Sequence, residues 1–122
     1  MRRASLPSTA FAATLLALLL AAFPTLAHHG WGSYDAGKTL RFDAAPVEVQ
    51  LRNPHAEIVV ERDGQRWLVV LAPLARMTSR GLAEGALVAG KTITIEGYPR
   101  LDGTRELRAE RIVVDGKTIE LR

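Results

Sequence analysis

Cysteine is absent from the 122 residues. That excludes disulfide staples and thiolate metal sites, so any metal this chain holds must be met by nitrogen and oxygen. Histidine is scarce, with three residues in all. No HExxH helix and no Gly-rich phosphate loop occurs, and Ser33 and Ser79 have no nucleophile motif around them. With no catalytic constellation to assemble, the chain reads as a binding module rather than an enzyme. Neither sign of charge forms a run. Sixteen Lys and Arg stand against 13 Asp and Glu, and the interspersed pattern gives nucleic acid no basic surface to read.

Long apolar runs are missing too, apart from "AFAATLLALLLAAF" at residues 10–23, which follows Met1-Arg2-Arg3. The run is shorter than the roughly 18 to 20 apolar residues that span a bilayer. Pro24 breaks it and the small residue Ala27 closes it, the three-part layout of a secretory signal peptide over residues 1–27. Ser5 occupies a place where a twin-arginine signal wants an apolar residue, so general secretion is the expected route. Removing Arg2 and Arg3 with the signal leaves 14 basic residues against 13 acidic ones, close to neutral. One small domain remains, able to bury a modest core.

Residues 28–38, "HHGWGSYDAGK", show no alternation and read as an irregular N-terminal arm. From residue 39 to 122 the period is two. Leu40 and Phe42 share a face, and Val47, Val49 and Leu51 share one after Ala44-Ala45-Pro46, a change of phase that predicts a bulge or bend inside one long strand or between two short ones. "RNPH" turns the chain, "AEIVVE" and "QRWLVVLA" flank an Asp63-Gly64 turn, and residues 73–90 fit one or two short helical turns. "KTITIEGYP", "ELRAERIVV" and a terminal "KTIEL" complete the set. The expected fold is all-β: a small OB-like barrel of five to six strands, with a short helix between strands three and four.

The motifs "AHHGW…YD", "RNPH", the Trp of the third strand, "RGL" and "ITIEGYPRLDG" resemble a family of small exported bacterial proteins known as a domain of unknown function. The positions that carry the resemblance are His28, His29, Asn53, Pro54, His55, Trp67, Gly97, Pro99, Asp102 and Gly103. The chain departs from that pattern at Leu51, where an aromatic is usual, at Val70, where a carboxylate is usual, and near Ala44, where a glycine is. The resemblance implies an exported OB-like barrel and brings no activity with it. A bacterial exported domain of this kind is expected in the periplasm.

All three histidines lie at the expected new terminus or at one turn. Cleavage after Ala27 gives His28 a free α-amine, with an intrinsic pKa near 7.7 to 8.0, beside an imidazole near 6.5. Amine and ring can chelate one ion, and a second imidazole, from His29 or His55, completes a three-nitrogen brace that suits Cu(II) best. The plainer readings are a solvated flexible end for His28 and His29, and a turn-capping role for His55. Reach argues against a shared site. The nine arm residues from Gly30 to Lys38 span at most about 30 Å, while a straight strand from Thr39 to Arg52 would rise roughly 45 Å.

Trp31 and Tyr34 either staple the arm to the barrel or, with Asn53 and Trp67, line a binding surface. Trp67 alternates with core residues. Arg105, Arg108 and Arg111 recur at a spacing that switches faces along a strand, so they form no basic stripe. Two functions follow from different classes. One is a copper-binding module using His28 with His29 or His55. The other is a metal-free interaction domain whose barrel face and arm bind an envelope protein, peptide or glycan.

Overall fold

Two Asp-Gly pairs make the tightest features of the architecture. Asp63 and Gly64 have φ of 53° and 73°, and Asp115 and Gly116 have φ of 51° and 74°. Both central residues of each turn are therefore left-handed, which matches a two-residue turn to the right-handed twist of flanking strands. The first pair joins β3 (Glu57–Arg62) to β4 (Gln65–Val70), with Arg62 opposite Gln65. The second joins β6 (Glu106–Val114) to β7 (Lys117–Glu120), with Val114 opposite Lys117.

A computed structural model describes residues 30–122; the expected signal peptide, with His28 and His29, lies outside them. The chain is mostly β. Besides those four strands it forms β1 (Leu40–Ala44), β2 (Glu48–Gln50) and β5 (Ile93–Pro99), one short helix α1 (Leu74–Ser79), and a 3₁₀ turn at Trp31–Ser33. All seven strands belong to one curled, half-barrel sheet in the order β1-β5-β6-β4-β3-β2, with β7 also paired to β6. The β4–β6 pair is parallel, with Val70 opposite Arg108, and the others are antiparallel.

Two expectations are corrected. The strand count is seven rather than five to six, and of the two readings of the first alternating stretch the structure has the two short strands. Ala45, Pro46 and Val47 separate them, and Pro46 is fully buried at the bend. Proline has no N–H to give a ladder, so the strand breaks where it stands. The helix, in turn, lies between the fourth and fifth strands; β3 and β4 are joined by the Asp63-Gly64 turn alone. Of the three apolar residues assigned to one face after the bend, Val49 packs against the core, while Val47 and Leu51 are more than two-fifths exposed.

Alternation puts Ile58 and Val60 of β3, Ile93 and Ile95 of β5, Leu107, Ala109 and Ile112 of β6, and Ile119 of β7 into one core. Met77 of α1 is fully buried in the same cluster, and Leu74 of that helix packs against it. Trp67 is partly buried against this cluster, with the Arg62 guanidinium 5.6 Å from its ring centre.

At Glu96–Gly97 the β5–β6 register shifts by a bulge. Gly97 is buried there, and a Cβ would overlap the Arg108 carbonyl and come within 2.7 Å of the Ala109 Cα. Backbone on the neighbouring strand cannot yield as a flexible side chain would. Gly97→Ala is expected to cost about 2 to 4 kcal/mol, read as a lowered midpoint in urea unfolding with the slope unchanged.

Candidate functional site

The first half of β6 is buried on both faces. Leu107 and Ala109 point into the core, and Glu106 and Arg108, on the opposite face, are only 6% and 7% exposed. Charged groups are rarely covered to that extent unless partners compensate for lost water. The cover is the N-terminal arm. Asp35 N–H donates to the Pro99 carbonyl at 2.9 Å, and Leu101 N–H donates to the Ser33 carbonyl at 3.0 Å. Tyr34 bridges Arg100 in a short antiparallel contact.

Tyr34, 3% exposed, donates its hydroxyl to a Glu106 carboxylate oxygen. The other oxygen accepts from Arg100 Nη1 at 3.3 Å, and Arg100 Nε lies 3.1 Å from Asp102. Burial and the adjoining Glu106 charge push the Tyr34 hydroxyl well above its ordinary value. Tyr98 of β5 donates to Glu110 in the same way, and that bond raises its hydroxyl too.

Arg108 is the meeting point. Its guanidinium sits 4.8 Å from the Trp31 ring centre, and its Nη2 lies 3.4 Å from His55 Nε2. Burial draws this guanidinium below its ordinary value, while the Tyr34 hydroxyl and the Glu106 charge draw it back. Arg122, beyond β7, places a second guanidinium 4.6 Å from the Trp31 ring, and Tyr98 meets that ring edge-on at 6.2 Å. A cation over an indole face is attracted by the ring quadrupole, worth about 0.5 to 2 kcal/mol each depending on desolvation. Trp31 is thereby clamped beside Arg108.

His55 owes its place to the next residue. Ala56 N–H donates to the Ala72 carbonyl at 3.0 Å, and Leu71 N–H donates back to Ala56 at 2.8 Å, which fixes the chain as it enters β3. Half-buried, His55 also opens with Arg52, Asn53, Pro54 and Glu57 onto a cleft of about 280 Å³. The Asn53–Pro54 peptide is cis and Asn53 is exposed on the cleft rim.

The residues singled out by sequence thus part ways. Trp31 and His55 come together through Arg108, with Asn53 at the rim of the cleft. Tyr34 is turned inward and spent on Glu106, which makes it a staple of the arm, and Trp67 lies against the core. His28 and His29 lie outside the described residues. Among the described residues no three of His, Cys, Asp and Glu gather as a metal-holding group. Sequence reasoning missed Arg108, Glu106, Arg100 and Arg122. The available signal was Glu106 and Arg108 alternating with the apolar Leu107 and Ala109, which a half-wet sheet explains equally well. Arg105 instead reaches Gln65 and Arg111 reaches Glu96 and Glu120, so the three arginines serve three environments.

The Tyr34 shift carries a sign. Its raised folded value means the folded protein keeps a proton that the unfolded chain releases near the ordinary value of 10.0. The stabilisation is complete below that pH and is lost as pH climbs beyond it. Tyr34→Phe is expected to lose about 1 to 3 kcal/mol at neutral pH, because Glu106 keeps its burial and loses a donor. The same substitution should flatten the fall of stability above pH 10, measured by denaturant unfolding from pH 8 to 11.

No curated protein matches the chain. A match does come from the model of a family of unknown function, DUF6152, and it runs from residue 16 through the arm, the Asn53-Pro54-His55 turn and the cleft to Arg108. The chain belongs to that family.

Proposed function

We propose that this chain is an exported, periplasmic binding module, an OB-like barrel whose N-terminal arm captures copper with His28 and with His29 or His55. The amine and ring of His28 supply two nitrogens, and a second imidazole supplies the third. Capture is reversible, for storage or for transfer to an envelope partner. An ion entering through the 280 Å³ cleft meets His55 on its wall.

One observation carries this reading. The 3₁₀ turn brings Trp31 against Arg108, and Arg108 touches His55, with separations of 4.8 Å and 3.4 Å. The obstacle expected from the sequence was a straight strand too long for the arm to retrace. That strand is broken at Pro46, and the arm lies back along Pro99–Leu101. Gly30 directly precedes Trp31, and His29 and His28 follow toward the terminus at about 3.8 Å per peptide step. The course of the arm along Pro99–Leu101 supports a second ligand at His55.

Cu(II) titrated into protein beginning at His28 should bind one equivalent and give a nitrogen-rich paramagnetic resonance spectrum. Acetylating the His28 α-amine should weaken binding on the order of 100-fold, the usual scale for losing one arm of a chelate. His55→Ala tells the two second ligands apart, since it weakens binding only when His55 coordinates. Equal affinity with and without the acetyl group rules the amine out. An absence of binding in all three proteins leaves the metal-free interaction domain as the reading.

A further inference from the structure

We infer that a second pocket, beside α1, binds a small organic amine: an apolar body carrying a positively charged head. It shares no residue with the cleft at His55 and stands apart from the copper reading. Its volume is about 370 Å³, at the small end of the roughly 300 to 1,000 Å³ that ligand pockets occupy. Leu51, which follows β2, joins Leu74, Leu82 and Leu87 in the lining. The walls are set by the way α1 ends. Gly81, at φ 107°, reverses the chain, so that Leu82 N–H donates to the Met77 carbonyl at 2.9 Å and Gly81 N–H to that of Thr78 at 3.1 Å. This pair of bonds closes a helix on a left-handed glycine and folds the chain back over its last turn. Ala86 N–H then donates to the Ala83 carbonyl at 3.1 Å, completing a turn in which Gly85 has φ of 71°. Leu82 and Leu87, on either side of that turn, are anchored in the core, so the pocket is formed without a ligand.

Glu84, exposed within that turn, is the one ionisable residue of the lining. Among the described residues no cation pairs with it. The arginines near the pocket in sequence are committed elsewhere. Arg76 donates to the Leu121 carbonyl, Arg80 to the carbonyls of Glu120 and Arg122, and Arg52 to the Glu57 carboxylate. Thr78, one helical turn beyond Leu74 and so on the same side of α1, adds a hydroxyl to the lining. A carboxylate and a hydroxyl both accept hydrogen bonds, and an ammonium has three donors and no acceptor. A positively charged, donating head therefore satisfies both, while the leucines hold an apolar body by excluding water from it. A carboxylate ligand meets a like charge at Glu84, and a neutral one leaves that charge unused.

The test titrates octylammonium, octanol and octanoate into the protein beginning at His28 at neutral pH, with EDTA present so that no metal contributes. Octylammonium is charged there, as a lysine side chain is. Binding is read from the methyl magnetic resonance signals of Leu51, Leu74, Leu82 and Leu87. Octylammonium should bind about three- to fivefold more tightly than octanol, the scale of one exposed ion pair, and octanoate should bind most weakly. Glu84→Gln should abolish the preference for octylammonium and leave the affinity for octanol unchanged. Ala83→Leu fills the pocket from an exposed position and should weaken octylammonium and octanol alike. Leu51→Ser removes a wall and should do the same, so that if one of the two misfolds, seen by circular dichroism, the other decides the location. The inference is overturned if octanol or octanoate binds as tightly as octylammonium, or if none of the three binds. It is overturned equally if Glu84→Gln keeps the preference, or if a folded pocket variant binds like wild type. With metal excluded, each of these failures leaves the copper reading untouched.

Discussion

A carboxylate on the outer face of a sheet belongs in water, and Glu106 is not there. Everything at the N-terminal end of β6 follows from that displacement. Once Glu106 is covered, its negative charge needs donors close at hand, and Tyr34 and Arg100 provide them. Tyr34 can do so only if the arm lies across the sheet, and the arm can lie there only if Trp31 finds its place beside Arg108 and Arg122. The interaction is thus structural before it is anything else. It converts an irregular, glycine-rich leader into an element with a fixed position. Replacing such a set by apolar groups of equal volume could leave stability unchanged, whereas removing one member strands the others. What the charges supply is a defined seat for the arm.

Much of the barrel was legible in the residues themselves. Period-two alternation found the strand segments, and Asp-Gly at 63–64 and 115–116 marked the two hairpins with two-residue turns, because few other dipeptides accept positive φ twice in succession. Pro46 announced the change of phase. What alternation could not tell was whether that change was a kink within one strand or the end of it, and the count of strands and the rank of the helix were misjudged together. The burial of Pro46 settles the matter, and burial of a single proline is a tertiary fact.

The candidate site was less legible, for a different physical reason. His55 and Trp31 stood out by type and scarcity, but the residue joining them, Arg108, is an arginine in a strand that reads as having one wet face. Only the arm makes that face dry. An irregular segment carries no periodicity from which its docking could be inferred, and the partners of Tyr34 and Trp31 are some 70 residues or more away in sequence. Cation–indole and tyrosine–carboxylate contacts across such separations leave no local trace.

The broken first strand has one more effect. β1 and β2 are the two ends of the sheet order, and they are neighbours in the chain. Two of the sheet's borders are therefore short segments meeting at Pro46; the third is β7, where the Glu120 and Leu121 carbonyls accept from Arg80 and Arg76. The outward residues of β1 and β2 include Arg41, Asp43, Glu48 and Gln50, all solvent-exposed. Short, charged and bent borders are poor templates for adding a foreign strand. In a protein without disulfides, this arrangement limits edge-to-edge aggregation.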